Sequence, residues 1–315
     1  MAATNKEKNF ASAVVYVHND EKLIGSFLQT LYRLLGNHFE KYEVICVNDN
    51  STDHSVSVIR EFVQSEHPQR PLTLINMSIS QGMELAMNAG IDCAIGDFIF
   101  EFDSACMDYP EEFILRSYQT ALSGYDIVSV CPEEASGRMG KLFYRLFNRY
   151  SHSQYPLRTD AFRLVSRRAV NRVHAINPTM AYRKAAYAAS GLKVEQLIYP
   201  SQQHQGKKQA EKRTDLALNS LALYTDAAYK LAFYISLLFL AITFGGAIYT
   251  VVIYLMPSSP VAGWTTTMLL LSSGFFGVFL VLTLILKYLS LLVDLIFRKQ
   301  KYLVESVEKI QSEEL

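Results

Sequence analysis

The chain has 315 residues, of which 50% are hydrophobic and 19% are charged. This apolar fraction excludes a disordered chain, and four cysteines are too few for a disulfide-stabilised scaffold. Basic and acidic residues both number 30, but the two signs are segregated. Residues 1–130 carry 8 basic and 18 acidic groups, whereas residues 131–230 carry 17 basic and 7 acidic groups. This asymmetry predicts separate functional zones along the chain.

Strand and helix patterns alternate through the first 130 residues. Short runs rich in β-branched and aromatic residues predict strands at 11–17, 42–47, 72–77, 97–102 and 125–130. Apolar residues at helical spacing predict helices at 21–35, 54–64, 83–94 and 110–123. The alternation predicts an α/β fold with a mostly parallel sheet that is covered on both faces. In such sheets, ligands bind beyond the carboxyl ends of the strands.

Acidic side chains follow the predicted strands at this edge. Asp49 comes directly after the second strand, and Glu101 and Asp103 end the fourth strand, where a spacing of two residues places them on one face. Converging carboxylates suit a divalent cation that holds a diphosphate, or hydrogen bonds to a ribose and a base. The alternative is that acids at strand ends are solvated loop residues and helix caps, which we favour for Asp53 and Glu112.

A basic amphipathic segment follows at residues 138–150. Its apolar residues recur at helical spacing, and its basic residues line another face, namely Arg138, Lys141, Arg145 and Arg149. A helix of this kind lies well on an anionic bilayer surface. The alternative is a helix that packs on the sheet and exposes its basic face to water. The abundance of Phe and Tyr favours the membrane interface.

Residues 231–286 contain no Asp, Glu, Lys or Arg. Since about 20 apolar residues cross a bilayer core, this stretch can form two transmembrane helices, which we predict at 231–256 and 261–286. The alternative, a buried hairpin of a soluble protein, conflicts with the rarity of soluble helices this long without a charge. Basic residues flank the pair on its outer sides only, so the positive-inside rule places both termini in the cytoplasm. We therefore expect a multi-pass protein of the cytoplasmic (inner) membrane.

Several short motifs occur in a specific order along the chain. The turn at residues 48–53 reads Asn-Asp-Asn-Ser-Thr-Asp, and small residues recur at every fourth position from Gly82 to Ala94. Asp103-Ser104-Ala105 ends the fourth strand, and Pro110-Glu111 follows it. Together these motifs resemble family 2 glycosyltransferases of the GT-A (Rossmann-like) fold, with residues 103–105 at the position of the family's DxD motif. The second Asp of that motif is replaced by Ala105.

The second half of the chain extends the resemblance. Residues 159–168 are similar to the DFRLxxR segment of polyprenyl-phosphate glycosyltransferases such as the dolichol-phosphate mannose synthase-like enzymes. Those membrane enzymes also end in two helices, with Gly-Trp before the second helix and a Tyr-Leu-Val tail after it. Gly263-Trp264 and Tyr302-Leu303-Val304 match both features. The resemblance implies an inverting glycosyltransferase that moves a sugar from a nucleotide-sugar to a polyprenyl phosphate, of the undecaprenyl-phosphate type, in cell-envelope polysaccharide biosynthesis.

This resemblance leads to a set of site assignments. We predict that the donor binds at Asn19, Glu21, Asp49, Gly82 and Asp103, and that Asp103 and Arg163 are the catalytic residues. Arg163, which matches the family's conserved arginine, is the first candidate for the acceptor phosphate, followed by Arg138 and Arg167. Mg²⁺ or Mn²⁺ is expected on Asp103, with Glu101 in place of the missing carboxylate and Asp108 as a second candidate.

The predicted organisation has four parts. Residues 1–135 form the nucleotide-sugar-binding core, and residues 136–226 form an acceptor-side and membrane-interface region that completes the GT-A domain. Residues 227–296 contain the two transmembrane helices, and residues 297–315 form a cytoplasmic tail. The expected partners are the donor, the lipid acceptor, membrane lipids and further copies of the chain, but no nucleic acid.

Two other classes of function stay open. One is an inactive family member that acts as a membrane scaffold or binds nucleotide or lipid without sugar transfer, because the DxD motif is degenerate. The other is a nucleotidyltransferase on a similar sheet. That class needs a glycine-rich phosphate loop near the N-terminus, which residues 1–33 lack.

Overall fold

A computed structural model describes residues 6–66, 71–133, 155–176, 182–200 and 302–311, together with single positions within 145–149, 234–245 and 267–292. The chain divides into two compact units. The first unit contains Met1–Asn148, His152–Ala217 and Gln300–Leu315, and the second contains Arg149–Ser151 and Leu218–Lys299. Both ends of the chain therefore belong to the first unit.

The five strands predicted in the first 130 residues are confirmed, each to within two residues. They are β1 (Ala11–Val17), β2 (Tyr42–Asn48), β3 (Leu72–Met77), β4 (Phe98–Phe102) and β5 (Ile127–Pro132). The four predicted helices are confirmed as α1 (Ile24–His38), α2 (Ser55–Glu66), α3 (Met83–Cys93) and α4 (Glu112–Leu122). Helix α1 starts later than predicted because residues 21–23 form a turn, in which the N–H of Leu23 donates to the carbonyl of Asp20.

Five further elements complete the described part of the chain. They are β6 (Phe162–Ser166), α5 (Arg167–Ile176), α6 (Arg183–Ala188), β7 (Val194–Tyr199) and β8 (Val304–Ile310). The DFRLxxR-like segment thus forms a strand followed directly by a helix. The described chain forms one eight-stranded sheet of order β7-β5-β6-β4-β1-β2-β3-β8.

The sheet is mixed, with a parallel centre. Strands β4, β1, β2 and β3 are mutually parallel, so their carboxyl ends lie at one edge. Strand β6 runs antiparallel between β4 and β5, and it pairs Arg163 with Glu101 and with Ser129. The predicted parallel α/β sheet is confirmed. The antiparallel insertion brings an arginine of β6 beside the acids of β4.

Helices cover both faces of the sheet, as predicted. All seven residues of β1 are buried, because alternate side chains point to opposite covered faces. Ala13 and Val15 join a core that contains residues of α1, α2 and α4. Val14 points the other way, toward α3, where a Cβ on Gly90 would lie 2.4 Å from the Cγ1 of Val14. The glycine allows α3 to approach the sheet closely.

The C-terminal tail is part of the sheet. Strand β8 pairs antiparallel with β3, in a register that places Val307 opposite Ile75 and Ile310 opposite Leu72. Arg60 of α2 forms an ion pair with Glu308 (2.7 Å). From the sequence, residues 297–315 were assigned to a cytoplasmic tail, and this strand was not predicted.

The second unit carries the predicted transmembrane segment. The positions described within 234–245 and 267–292 are all helical. Phe239 and Phe276 have ring centroids 6.5 Å apart, and a Cβ on Gly277 would meet the ring of Phe239 at 2.4 Å. Among the residues that the structure describes, no helix combines the length and hydrophobicity needed to span a membrane. Most of the first predicted span and nearly half of the second lie outside the described residues, as does most of the predicted amphipathic helix at 138–150.

Candidate active site

The loops after β1 and β2 are joined at the carboxyl edge of the sheet. Asn19 has a φ of 58°, and its Oδ1 accepts hydrogen bonds from the backbone N–H groups of Thr52 (2.8 Å) and Asp53 (3.3 Å). A carboxylate oxygen of Glu21 accepts from the N–H of His54 (3.1 Å), and the N–H of Glu21 donates to Asp53 (3.1 Å). These two predicted donor-site residues therefore join the two loops at the carboxyl edge of the sheet, which we call the crevice because ligands of such sheets bind there.

Asp53 and Glu112 fill the structural roles favoured from the sequence. The Oδ1 of Asp53 accepts from the backbone N–H of Ser55 (3.0 Å) at the start of α2. Glu112 lies exposed in the first turn of α4, where a negative charge is favourable.

Asp49 lies beneath the β3–α3 loop, residues 78–82, and accepts hydrogen bonds from it. Its side chain is fully buried. Its Oδ1 accepts from the N–H of Gln81 (2.7 Å), and its Oδ2 accepts from the N–H of Gly82 (2.9 Å) and the hydroxyls of Tyr16 (3.0 Å) and Ser80 (3.2 Å). Burial and the neighbouring Asp49 raise the pKa of Tyr16, so its hydroxyl stays a donor. The predicted donor-binding carboxylate therefore shapes the crevice rather than projecting into it.

Gly82 is the residue before α3 and has a φ of 90°. A side chain is disfavoured at this φ, so glycine suits the sharp entry into the helix. The backbone N–H groups at this helix start point at the carboxylate of Asp49, where a negative charge is favourable. Asp49 and Gly82 thus lie together at the crevice. The carboxylate of Asp49 accepts a hydrogen bond from the backbone N–H of Gly82, so the two residues contact each other.

Glu101 and Asp103 face two buried guanidinium groups. Arg163 donates from Nη1 to Glu101 Oε2 (3.0 Å) and from Nη2 to Asp103 Oδ2 (2.8 Å). Arg183 donates from Nη1 to the same Glu101 oxygen (2.8 Å) and from Nη2 to Asp103 Oδ1 (2.7 Å). The two acids share both partners, so the structure agrees with the prediction that they occupy one face of β4.

Further groups close this arginine–carboxylate cluster. The Nε of Arg163 donates to Asp160 (3.1 Å), and the Nε of Arg183 donates to Glu84 of α3 (2.9 Å). The hydroxyl of Tyr187 donates to the second oxygen of Glu101. Arg163 is 2% exposed and Arg183 is fully buried, whereas the side chain of Asp103 keeps 17% of its surface accessible. The side chain of Asp103 is therefore more accessible than those of Arg163, Arg183 and Glu101.

The electrostatics of the cluster favour charged groups at Asp103 and both arginines. Burial opposes ionisation of Asp103, but Arg163 and Arg183 prevail and lower the pKa of that carboxyl below its ordinary range. Burial likewise opposes the charge of Arg163, yet its carboxylate neighbours raise its pKa. For Glu101, burial is the strongest influence and raises its pKa beside the two guanidinium groups. The cluster is a buried ion-pair network. Removal of one partner from such a network leaves a buried charge uncompensated and destabilises the folded protein.

The cluster does not suit the divalent cation expected at Asp103 and Glu101. Each oxygen of these two carboxylates accepts a hydrogen bond from an arginine or from Tyr187, and the two guanidinium charges beside them would repel a cation. Ala105, 3% exposed, supplies no ligand. Asp108, the second candidate, accepts from the hydroxyl of Tyr199 (3.1 Å). Across the described residues, no three acidic, His or Cys side chains are grouped to hold a metal.

The three predicted acceptor-phosphate residues fall in different places. Arg163 is buried, and its guanidinium bonds to three carboxylates, so its role at the acceptor phosphate stays a prediction. Arg167 lies at the opposite end of the sheet, where it donates to the carbonyls of Gly96 (3.0 Å) and Ala94 (2.7 Å). It follows β6, which runs antiparallel to β4 and therefore carries it away from the crevice. Arg138 lies outside the described residues.

Arg183, Glu84 and Tyr187 are members of the cluster that sequence reasoning missed. Arg183 follows the predicted core by about 50 residues and lies in the region 136–226, which was assigned to the acceptor side and the membrane interface. The available signal was the surplus of acids on strand ends, since buried carboxylates need cationic partners. That signal does not say which of the many arginines provides the charge.

A small cavity lies beside the cluster. It has a volume of about 30 Å³ and is lined in part by Arg158, Asp160, Arg163 and Lys184. This volume suits a water molecule or two rather than a sugar. The crevice above Asp49 and Asp103 is therefore the better candidate for substrate binding.

Similarity to known proteins extends over most of the chain. It is 26% identical over 315 residues to the uncharacterized glycosyltransferase YkcC of Bacillus subtilis strain 168, with 96% of both chains covered. It is 26% identical over 275 residues to a bactoprenol glucosyl transferase of Shigella phage SfV, covering 84% of this chain and 88% of that one. It is 31% identical over 124 residues to an undecaprenyl-phosphate 4-deoxy-4-formamido-L-arabinose transferase of Aeromonas hydrophila, covering 39% of this chain and 37% of that one.

The family assignment rests on a match to a family profile over more than half of the chain. The sequence profile described as Glycosyl transferase family 2 matches residues 12–190, which include every strand of the parallel centre and the arginine–carboxylate cluster. The resemblance inferred from the motifs is confirmed. The chain belongs to glycosyl transferase family 2 and is a glycosyltransferase.

Proposed function

We propose that this glycosyltransferase moves a sugar from a nucleotide-sugar to a polyprenyl phosphate at the cytoplasmic face of the inner membrane, with inversion at the anomeric carbon. The observation that carries the proposal is the crevice at the carboxyl edge of β1, β2 and β3. Three loops border it, and Asp49 fixes the third loop from inside. Ligands of open α/β sheets bind at such edges.

The acceptor is proposed from the relatives. The names of two of them contain bactoprenol or undecaprenyl phosphate. A phosphate acceptor is already anionic at neutral pH, so transfer to it needs no strong general base. In the reaction, a phosphate oxygen attacks the anomeric carbon while the bond to the donor diphosphate breaks, and the nucleoside diphosphate leaves with the electron pair. The protein's task is positioning and charge stabilisation.

The residues of the site divide this task. The joined loops at Asn19 and Glu21, with the loop held by Asp49, give the nucleotide a preformed wall. Two arginines hold Asp103 in place. Its side chain is more accessible than theirs, and we assign it to the crevice. No step is assigned to a metal, because Asp103 and Glu101 are already occupied by guanidinium groups.

The membrane attachment is proposed from the charge-free stretch and from strand β8. Because β8 pairs with β3, residues 77 and 303 lie on the same side of any membrane. The chain between them then crosses an even number of times. Two crossings with both flanks in the cytoplasm satisfy this condition, and the basic flanks set the orientation.

The test uses the full-length protein in detergent or nanodiscs. A panel of nucleotide-sugars is first screened for stabilisation of the folded protein, since a ligand that binds the native state raises the melting temperature. The stabilising donor is then incubated with undecaprenyl phosphate, and lipid-linked sugar and released nucleoside diphosphate are measured together. We expect both products in equal amounts.

A donor reaction without lipid is the control for hydrolysis. Equal release of nucleoside diphosphate with and without undecaprenyl phosphate would contradict the proposed acceptor. Stabilisation by a donor with no product under any condition would instead favour the scaffold function that the degenerate DxD motif leaves open.

A further inference from the structure

The start of the C-terminal tail docks on the β3–α3 loop as well as on the sheet. The carboxamide of Gln81 makes two hydrogen bonds to the backbone of Leu303: its Oε1 accepts from the N–H (2.8 Å), and its Nε2 donates to the carbonyl (2.6 Å). The backbone N–H of Ser78 donates to the same carbonyl (3.2 Å). The Tyr302-Leu303-Val304 motif therefore contacts the loop that borders the crevice.

The same loop is held from the opposite side by Asp49. The backbone N–H of Gln81 donates to Asp49 Oδ1 (2.7 Å), while the side chain of Gln81 reaches outward to Leu303. Gln81 thus joins a fully buried carboxylate under the crevice to the first residues of the tail. Its two kinds of contact use separate groups, so a side-chain substitution leaves the backbone bond to Asp49 possible.

The loop needs such external supports. Gly82 has a φ of 90°, and a Cβ built on it would meet no atom within 4 Å, so packing does not restrict this position. Glycine has the largest backbone freedom of any residue, and an unrestrained loop must lose that freedom when a ligand binds. If the loop is already fixed before the ligand binds, this loss of conformational entropy does not occur on binding. The binding free energy is then more favourable by the same amount.

We propose that Gln81 is a positioning residue that makes donor affinity depend on the docked C-terminal tail. The proposal rests on the proposed function, since it takes the nucleotide-sugar as the ligand of the crevice. The tail follows the segment predicted to cross the membrane, so the completed chain, rather than the N-terminal domain alone, has the donor-binding loop in its final shape.

Two other tail contacts bypass the loop and provide controls. The hydroxyl of Tyr302 donates to Asp92 of α3 (3.0 Å), and Glu308 pairs with Arg60 of α2 (2.7 Å). These contacts anchor the tail without touching residues 78–82. If the tail served stability alone, loss of the Tyr302 contact and loss of the Gln81 contact would have the same kind of effect.

The experiment compares Gln81→Met with Tyr302→Phe in the full-length protein. Gln81→Met keeps the length of the side chain and removes both bonds to Leu303, and Tyr302→Phe removes one tail anchor. Three quantities are measured: hydrogen–deuterium exchange of the loop amides, affinity for UDP-glucose by calorimetry, and KM and kcat for that donor. UDP-glucose is the probe because one relative is named a glucosyl transferase.

For Gln81→Met we expect faster exchange at residues 78–82 and roughly tenfold weaker donor binding, the effect of losing about one to two hydrogen bonds. KM should rise with kcat nearly unchanged. Tyr302→Phe should lower the melting temperature without changing exchange in the loop or donor affinity. Unchanged loop exchange in Gln81→Met, or equal effects of both variants on donor affinity, would overturn the proposal.

The exchange measurement separates this proposal from the proposed function. If Gln81→Met loosens the loop but the unmodified protein binds neither UDP-glucose nor any donor of the panel, the coupling of tail and loop stands. In that case the assignment of the crevice to a nucleotide-sugar fails, and the effect on donor affinity fails with it.

Discussion

Arg183 donates hydrogen bonds to three different carboxylates, those of Glu84, Glu101 and Asp103. Replacing it with Met would remove the guanidinium bonded to Glu84 and would leave Glu101 and Asp103 with one guanidinium partner, Arg163, instead of two. Removal of one partner from a buried ion-pair network costs about 3–5 kcal/mol. We therefore expect Arg183→Met to lower the free energy of unfolding by about this amount, measured by thermal or chemical denaturation.

Arg168 is the matched control for this substitution. It also pairs with an aspartate, Asp126, but its own side chain is 71% exposed. Asp126 is buried, but water reaches the guanidinium of Arg168 and screens the pair, so it should contribute less than a network in which both partners are buried. Arg168→Met should therefore shift the denaturation midpoint far less than Arg183→Met. Similar shifts for the two variants would show that the buried cluster is not what stabilises the sheet at β4 and β6.

A second prediction at this scale concerns the metal. Because the oxygens of Asp103 accept from Arg163 and Arg183, a chelator should not change donor binding. Calorimetry with UDP-glucose should give the same affinity in EDTA and in Mn²⁺, and electron paramagnetic resonance should detect no tightly bound Mn²⁺ in the donor complex. A loss of affinity in EDTA, reversed by Mn²⁺, would show that the cation displaces the arginines.

Of the candidate site, the sequence predicted only the residues that follow directly after predicted strands. Asp49 and Asp103 follow strands of the parallel centre, so their place at the carboxyl edge was readable from the motif order. Their partners were not, because Arg163 and Arg183 lie 60 and 80 residues beyond Asp103. Arg163 reaches Asp103 from the antiparallel strand β6, and Arg183 reaches it from α6. The identity of a counter-charge depends on this tertiary pairing, which no local pattern encodes.

At the scale of elements, α3 packs on the sheet through a glycine. A Cβ on Gly90 would lie 2.4 Å from Val14 Cγ1 and 2.7 Å from Val47 Cγ2, on two central strands. Both valines are β-branched and fully buried, so they have little room to move. Gly90→Ala should destabilise the protein by about 1–3 kcal/mol, the usual effect of overpacking a core, measured as the change in unfolding free energy.

Gly25 in α1 is the control for this prediction. Its added Cβ would lie 3.4 Å from Val58 Cγ1, which is an ordinary contact. Gly25 lies in the first turn of α1, and alanine has a higher helix propensity than glycine. Gly25→Ala should leave stability equal or slightly higher. Tolerance of alanine at both positions would mean that α3 can move away from the sheet without loss.

The elements differ in how well the local sequence pattern predicts them. Strands β1 to β5 are apolar runs between turn residues, so pattern alone predicted them. Strand β8 is different: four of its seven residues are polar or charged, among them Glu305, Glu308 and Lys309. These residue types have low strand propensity. The segment is extended because the edge of β3 offers backbone partners, and that edge lies more than 200 residues earlier in the chain.

At the scale of the whole molecule, the pairing of β3 with β8 constrains the membrane topology. Ser258→Cys should react with an impermeant thiol reagent from outside intact cells, because it lies between the predicted spans. Ser312→Cys should react only after permeabilisation. Both variants are made with Cys93→Ser and Cys106→Ser, since these native cysteines are at least partly accessible. Labelling of both sites from the same side would contradict two crossings.

The pairing of β3 with β8 also sets the order in which the protein can be completed during synthesis. Met77 and Leu303 are separated by 226 residues, so at about 5–20 residues per second the partner of β3 leaves the ribosome roughly 10 to 45 s later. Until then, β3 is an open edge strand that can pair with another chain, and such edges promote aggregation. Nascent chains that stall within the apolar stretch would therefore have a folded sheet in which the edge of β3 is still unpaired. Chaperone dependence should accordingly be greatest for chains that end before residue 303.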